Sequence, residues 1–479
     1  MNRIQFYPAP PHIPLKEDYE VRIRPAGGTW HVLPVFEVNV DMHQVRQASM
    51  ACFDMEGEVE VEISCLYSVI GSCEIRPRSA GISPAAGQNT LTFMLDKPCK
   101  LSVEINGDRF RNLHLFASPF EEHPPTPDDP DVMLVKRGIH RTDDLLKQLS
   151  EPLDGTGQLP AVIYFAEGTH FIEETVLTLP SGITAYLAGG AALIGSLVCD
   201  KVQDVVIRGR GMIYLAMFHR YTAFRGIRIT FSERIRIEGI MVIDPPHYSV
   251  FLGQSQKVEI ENFKSFSSRG WSDGIDMMSC RQIHLRDLFM RNSDDCIAVY
   301  GSRWNYYGDT QDVTVRDSVL WADVAHAVMI GIHGDHGRGG DIVEDLRFEN
   351  IDILEHHEPQ PNYWGAVAIN AGDGNTVKNV VFSQIQVDDF ELGQLFDIRV
   401  VHNKDYNPLP GNRIENVRFE QIEYNGVNAN PSRIHGYDRE RAVEGITFKH
   451  MYINGRLLTS IEDSGFEVNA FAKGIKFME

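Results

Sequence analysis

The sequence predicts an all-β protein, a right-handed parallel β-helix preceded by a small N-terminal β-sandwich domain. Three observations predict it. One short pattern, apolar-x-apolar followed by a polar pair and another apolar residue, returns along the second half of the chain. The first 118 residues hold short alternating runs instead, and a segment rich in proline and acid divides the two regions.

The N-terminal runs fall at 19–24, 31–40, 59–64, 90–95, 101–106 and 112–117. Alternation such as V-E-V-E-I-S and L-S-V-E-I-N places one face in a core and the other in water. Turns at A-G-G, at I-N-G-D and across the Pro-Gly-Ser stretch 77–87 separate the runs, as in a small sandwich. This domain carries no charged or nucleophilic cluster. It reads either as a carbohydrate-binding module or as a lid packed on the next domain, and the aromatic positions, which fit strand interiors, favour the lid. Residues 120–131 hold four prolines and five acids with almost nothing to bury, which is the composition of a linker. The domains are therefore 1–118, a linker 119–131, and 132–479. A short amphipathic helix is expected around Thr142–Leu149, with Asp143 and Asp144 at its positive end, where it would plug the open end of a solenoid.

The repeats begin at Ile235, Val258, Ile283, Val313, Leu346, Val380, Val417 and Ile446, at intervals of 23, 25, 30, 33, 34, 37 and 29 residues. β-rich repetition at this period means a coil of parallel strands. The longer intervals carry insertions, which stack on consecutive coils into a wall on one side. Functional side chains concentrate on such loops, held by the rigid coil.

A net charge of −21 argues against nucleic acid and anionic membranes, and makes a polyanionic substrate uncomfortable. The seven cysteines, Cys52, Cys65, Cys73, Cys99, Cys199, Cys280 and Cys296, form no CxxC and mostly lie in apolar runs. They read as free thiols, with neither a disulfide framework nor a zinc site. There is no apolar run long enough to span a membrane, and the first residues have no signal-peptide core. A cytoplasmic protein is expected, or a secreted one if a leader precedes this chain. The composition leaves room for a homo-oligomer.

The chemistry concentrates in 271–298, W-S-D-G-I-D-M-M-S-C-R-Q-I-H-L-R-D-L-F-M-R-N-S-D-D-C-I-A. Asp273 and Asp294 lie 21 residues apart, a spacing expected to stack them on neighbouring rungs. Crowded carboxylates shift each other's pKa values, so that one stays protonated while another is ionised. Glycoside hydrolysis needs that division: one carboxyl gives a proton to the leaving oxygen, and another activates water or attacks the sugar.

W-S-D-G-I-D resembles the N-T-D-G-I-D motif of glycoside hydrolase family 28, the polygalacturonases, and N-S-D-D-C-I-A resembles its N-Q-D-D-C-V-A. Inverting dextranase- and isopullulanase-type hydrolases are related to it. The resemblance covers roughly 130–460 and implies a β-helix and an inverting glycosidase without a cofactor or metal. Asp294 would be the general acid, and Asp273 and Asp295 would hold the water. His326, in V-A-H-A-V-M-I-G, stands where the family has G-H-G-L-S-I-G, with alanine for both flanking glycines. It would tune the carboxylates by hydrogen bonding. His333 and His336, in a Gly-rich stretch, read as loop residues rather than metal ligands.

The family's R-I-K motif, whose cations grip a galacturonate carboxylate, corresponds here to V-A-I-N-A. Ala368 and Asn370 replace the Arg and Lys, which moves the expectation toward a neutral glycan, although Arg399 one coil on leaves a cation available. Tyr248 corresponds to the aromatic after the family's S-P motif. Together with Trp271, Trp304, Tyr307 and Trp364 it is a candidate ring for a sugar's CH face, Asn370 and Arg399 are candidate polar contacts, and Asp276 is expected on the coil as a structural or sugar-binding group. The expected partner is an oligo- or polysaccharide, cleaved from a chain end. A pectin hydrolase of the polygalacturonase or rhamnogalacturonan type, a Ca²⁺-dependent lyase and a non-catalytic glycan-binding solenoid remain alternatives.

Overall fold

A computed structural model describes residues 2–153, 157–219 and 225–479. The eight repeats coil in register. Ile235, Val258, Ile283, Val313, Leu346, Val380, Val417 and Ile446 follow one another as paired positions of a single parallel sheet path. The third position of the later repeats builds a stack through the core, Phe348–Phe382–Phe419–Phe448, with ring centroids 4.6, 5.2 and 5.1 Å apart. The second member of each polar pair makes the corner. Asn262, Asp287, Asp317 and Asn350 take φ of 51°, 55°, 53° and 54°, the left-handed region that Asn and Asp tolerate best among residues with a Cβ.

The coil starts at Val132–Val135 and runs as a right-handed parallel β-helix to the C-terminal strands. The helix Thr142–Leu149 caps its first turn by inserting Leu145 and Leu149 into the core. Thr142 fixes the cap, its backbone N–H donating to Glu174 and its hydroxyl to the Val176 carbonyl.

The N-terminal domain is a sandwich. One sheet joins Arg3–Gln5, Phe36–Val40, Arg46–Glu56, Asp108–Ser118, Cys99–Ile105 and Cys73–Arg76; the other joins His31–Leu33, Tyr19–Pro25, Val59–Cys65, Thr90–Leu95 and Ala85–Ala86. The expected wet face holds for the second sheet but not for the first. There Phe36, Val38, Val40, Met50 and Phe116 pack against Met241, Ile243, Phe266, Phe289 and Trp321 of the coil. Buried polar groups lock the same interface. Arg291 donates to Asp323 and to Asn112, and Arg76 donates to Glu104 and to the Leu354 carbonyl. Most of 122–131 is exposed. At its start the Glu121 side chain is covered, accepts a hydrogen bond from the Tyr186 hydroxyl and lies 3.9 Å from Arg210. All seven cysteines are free, with Cys65, Cys199, Cys280 and Cys296 buried.

Candidate active site

The site forms where the coil turns into strands Ile275–Met278, Ile297–Tyr300 and Val328–Ile330. Backbone bonds climb this corner: Ser249 N–H to the Asp273 carbonyl, Gly274 N–H to that of Asp295, and Cys296 N–H to that of His326, each 2.8 Å. Asp273, Asp295 and His326 are thus the residues stacked on successive rungs. Asp294 is not the rung partner of Asp273, as its spacing implied, because the strands pair Ile275 with Ile297, an offset of 22 residues. Asp294 sits one residue earlier, in the bend, and its carboxylate accepts the backbone N–H groups of Trp271 and Asp295, both at 3.1 Å.

Asp273, Asp294 and Asp295 each place one oxygen within 4.8 Å of the others. Burial raises the pKa of Asp273 well above the carboxylate range, and Asp276, Asp294 and Asp295 add to the effect. Burial and the neighbouring Asp295 push Asp294 up to about 7. Both oxygens of Asp295 are occupied. His326 gives Oδ1 its Nδ1–H at 2.6 Å, and the Tyr300 hydroxyl donates to Oδ2 at 3.1 Å. A cation could bridge oxygens this close, and both oxygens of Asp294 and of Asp295 also accept N–H or O–H donors.

His326 is fully buried, and its Nε2 lies 2.7 Å from the Tyr363 carbonyl. Both ring nitrogens face acceptors, so both carry protons and the ring is an imidazolium. Burial opposes that charge, but Asp295, the hydrogen bond to it and Glu358 outweigh burial and hold the pKa above its usual value.

Around this centre the predicted contacts sort into groups. Trp271 is exposed, at φ 64°, directly beside Asp294. Tyr248 is buried, accepts a hydrogen bond from Arg303 at 2.7 Å, and has the half-exposed Trp304 stacked on it at 6.1 Å. Of the two roles expected for Asp276, its burial favours the structural one: it is fully covered, with Arg303 at 4.0 Å. Tyr307 is separated from the carboxylates and lines a groove with Phe231, Gln254 and Arg281. Asn370 and Arg399 are paired across neighbouring strands and line another groove with Tyr363, His402, Lys404 and Tyr437. Asn370 donates to the Asp397 carbonyl at 2.9 Å, and Arg399 donates to the Asp397 carboxylate at 2.7 Å. Trp364 donates its Nε1–H to the Glu358 carbonyl.

Sequence reasoning missed Tyr300, Arg303, Glu358 and His356. Tyr300 ends a strand five residues after Asp295, and in a strand its side chain faces the groove at alternate positions; that parity was the available signal. His356 ends the strand Ile342–His356 and Glu358 follows two residues later, and neither leaves a mark in the spacing.

The chain spans about half the length of the curated relatives it matches. Exopolygalacturonase B of Aspergillus niger is 25% identical over 247 residues, 46% of this chain and 53% of the relative. A probable endo-xylogalacturonan hydrolase A of Aspergillus fumigatus is 24% identical over 227 residues, 43% of this chain and 52% of the relative. The family model described as Glycosyl hydrolases family 28 matches residues 218–464, about half of the chain, a span that includes Asp273, Asp294, Asp295 and His326. The chain belongs to glycosyl hydrolases family 28. Among solved structures, Dex49A from Penicillium minioluteum superposes with a TM-score of 0.68 at 14% identity, covering 99% of this chain and 96% of that one. The Yersinia enterocolitica family 28 exopolygalacturonase gives 0.52 at 12% identity, over 88% and 94%. At these identities the likeness is one of fold.

Proposed function

We propose that this family 28 chain is an inverting glycoside hydrolase that acts on a neutral glycan from a chain end. The observation that carries the reading is the pairing of two unlike carboxyls. Asp294 is raised to about 7 and keeps a proton to give, while Asp295 is paired with the His326 imidazolium and serves as base toward water. Asp273 flanks the water position. The 4.8 Å limit on the oxygens is shorter than the ~6.5–9.5 Å usual for inverting carboxyls. Inversion therefore rests on the family motif, and NMR of the first-formed anomer measures it directly.

Neutral sugar is favoured by the floor of the groove. Ala368 is buried at the place of one family cation, and the amide of Asn370 is spent on Asp397. A pectic substrate is the second reading, favoured by Arg399 and Lys404 on the same groove wall. Incubation with neutral α-glucan oligosaccharides and, separately, with oligogalacturonates tests the choice. Turnover of the neutral set alone is expected, and robust cleavage of oligogalacturonate by the unaltered chain overturns it.

A further inference from the structure

His326 and His356 lie on neighbouring coils with their rings stacked 6.2 Å apart, yet their hydrogen bonds differ. His326 faces two acceptors. His356 faces one of each kind: its Nδ1 lies 2.7 Å from the Ala325 carbonyl, and its Nε2 accepts the Gly365 N–H at 3.1 Å. That pattern permits only the neutral Nδ1–H tautomer. Burial and then the charged His326 lower its pKa to about 3, so the ring stays neutral.

The two backbone groups it holds stand on either side of His326. Ala325 immediately precedes His326 and sits in the left-handed region at φ 62°, where an alanine does not rest without outside support. Gly365 lies two residues beyond Tyr363, whose carbonyl takes the second proton of His326. The imidazole fits against Gly393, where any Cβ would overlap the ring. One side chain therefore ties the turn that carries His326 to the loop that caps it.

We propose that His356 is a positioning residue for the catalytic base, a neutral staple that keeps the Ala325 turn and the Tyr363 carbonyl in the places that hold His326 doubly protonated against Asp295. This rests on the roles assigned to Asp295 and His326 above. The groups facing His326 are Asp295, Asp294, Glu358, the ring and carbonyl of Tyr363, and His356 itself. Without the staple, a strained turn and a buried amide lose their partner, and the Tyr363 carbonyl is free to leave Nε2. His326 then gives up its second proton more readily, and Asp295 loses its counter-charge.

The test uses the full chain labelled with ¹⁵N-histidine, as wild type, His356→Ala and His356→Gln. A glutamine amide supplies one donor and one acceptor, as the neutral imidazole does. The ring nitrogens of His326 are followed through pH by NMR without substrate, and kcat and KM are measured on whichever oligosaccharide is turned over. His356→Ala should lower the His326 midpoint by about one unit or more, and lower kcat roughly 10–100-fold as other supporting hydrogen-bond partners do, with KM little changed. His356→Gln should restore both to within a few-fold. An alanine variant with wild-type titration and kcat overturns the proposal. So does a glutamine variant with a lowered His326 midpoint, which also decides the matter if the alanine variant does not fold. Asp294→Asn run in parallel separates the two readings: if it keeps its activity, the assignment of Asp294 as acid fails while the His326 titration still judges the staple.

Discussion

Asp295 and His326 form a buried ion pair with Nδ1 2.6 Å from Oδ1, completed by the Tyr363 carbonyl on the far nitrogen. Neither residue is placed by its near neighbours in sequence. Their backbones are adjacent because Cys296 donates its N–H to the His326 carbonyl across one rung. A buried pair offsets its desolvation only when its remaining hydrogen-bonding groups are satisfied. Here Tyr300 and Tyr363 supply that, and Asp295 stays a fixed acceptor, as the proposed base must be.

Breaking the pair from one side should be costly twice over. His326→Leu leaves the Asp295 carboxylate buried beside an apolar group, a change that costs about 3–5 kcal/mol for a buried pair. It should lower Tm clearly and reduce kcat by about 10²-fold or more. Calorimetry and steady-state kinetics check the two effects separately. A variant with wild-type kcat would remove His326 from the mechanism.

Asp294 offers a prediction with a pH signature. Its folded pKa is raised from 3.8 to about 7, so folding favours the protonated acid. The stability that follows is fully present below about 4 and is lost as pH rises toward 7 and beyond. Activity should fall across the same upper range as the proton donor ionises. Asp294→Asn should lower kcat by about 10²–10⁴-fold, and its Tm relative to wild type should rise as pH increases from about 4 to 8. A Tm difference that is flat with pH would mean that Asp294 is not held protonated.

The sandwich and the coil are joined by Arg291, which is fully buried between Asp323 and Asn112 and lies 4.0 Å from the Trp321 ring centroid. Arg291→Ala leaves Asp323 as an unpaired buried charge and should destabilise by about 3–5 kcal/mol. A single thermal transition at lower temperature is expected, because both domains share the damaged core. Two separate transitions, with one unshifted, would show that the domains melt independently.

The coil was legible because its signal is repetitive: eight repeat starts fell in register, and each polar pair marked a corner. The N-terminal strands Arg46–Glu56 and Cys73–Arg76 escaped notice for the opposite reason. In Q-A-S-M-A-C-F both faces of the first are covered, so the alternation that betrays a half-wet strand is missing. At the site, the grouping of Asp273, Asp294, Asp295 and His326 was readable from motif and spacing. The rung offset was not, since a 21-residue interval between motifs does not say which member of an Asp-Asp pair stands on the rung. The choice between a structural and a sugar-binding Asp276 was not legible either, since burial of a carboxylate on the strand Ile275–Met278 depends on what covers it.

The loops over the groove give the last prediction. A chain-end enzyme needs a groove closed at one side, whereas an internal cutter needs it open across the coils. The insertions at 303–312, 333–341, 355–363 and 402–412 are tied to one another here, directly or through residues beside them. The Ser302 N–H donates to Asp341 at 2.6 Å, Asn375 donates to the His333 carbonyl at 2.7 Å, Asn407 donates to the Ile332 carbonyl at 2.6 Å, and the rings of Tyr363 and Tyr406 lie 5.2 Å apart. Beneath them the sheet face is covered: Tyr306 lies so close over Gly253 that a Cβ there would meet its ring at 2.5 Å, and Met278, Ala298, Met329 and Ala368 are all buried. A polymer laid along that face would have to displace these contacts together, whereas a chain end can enter beside Trp271 and Asp294. Hydrolysis should therefore release one small product from the first time point, with the length of the remaining chain falling slowly. Chromatography of early time points that shows a ladder of intermediate sizes, with a rapid loss of viscosity, would mean that the wall opens and that the enzyme cuts internally.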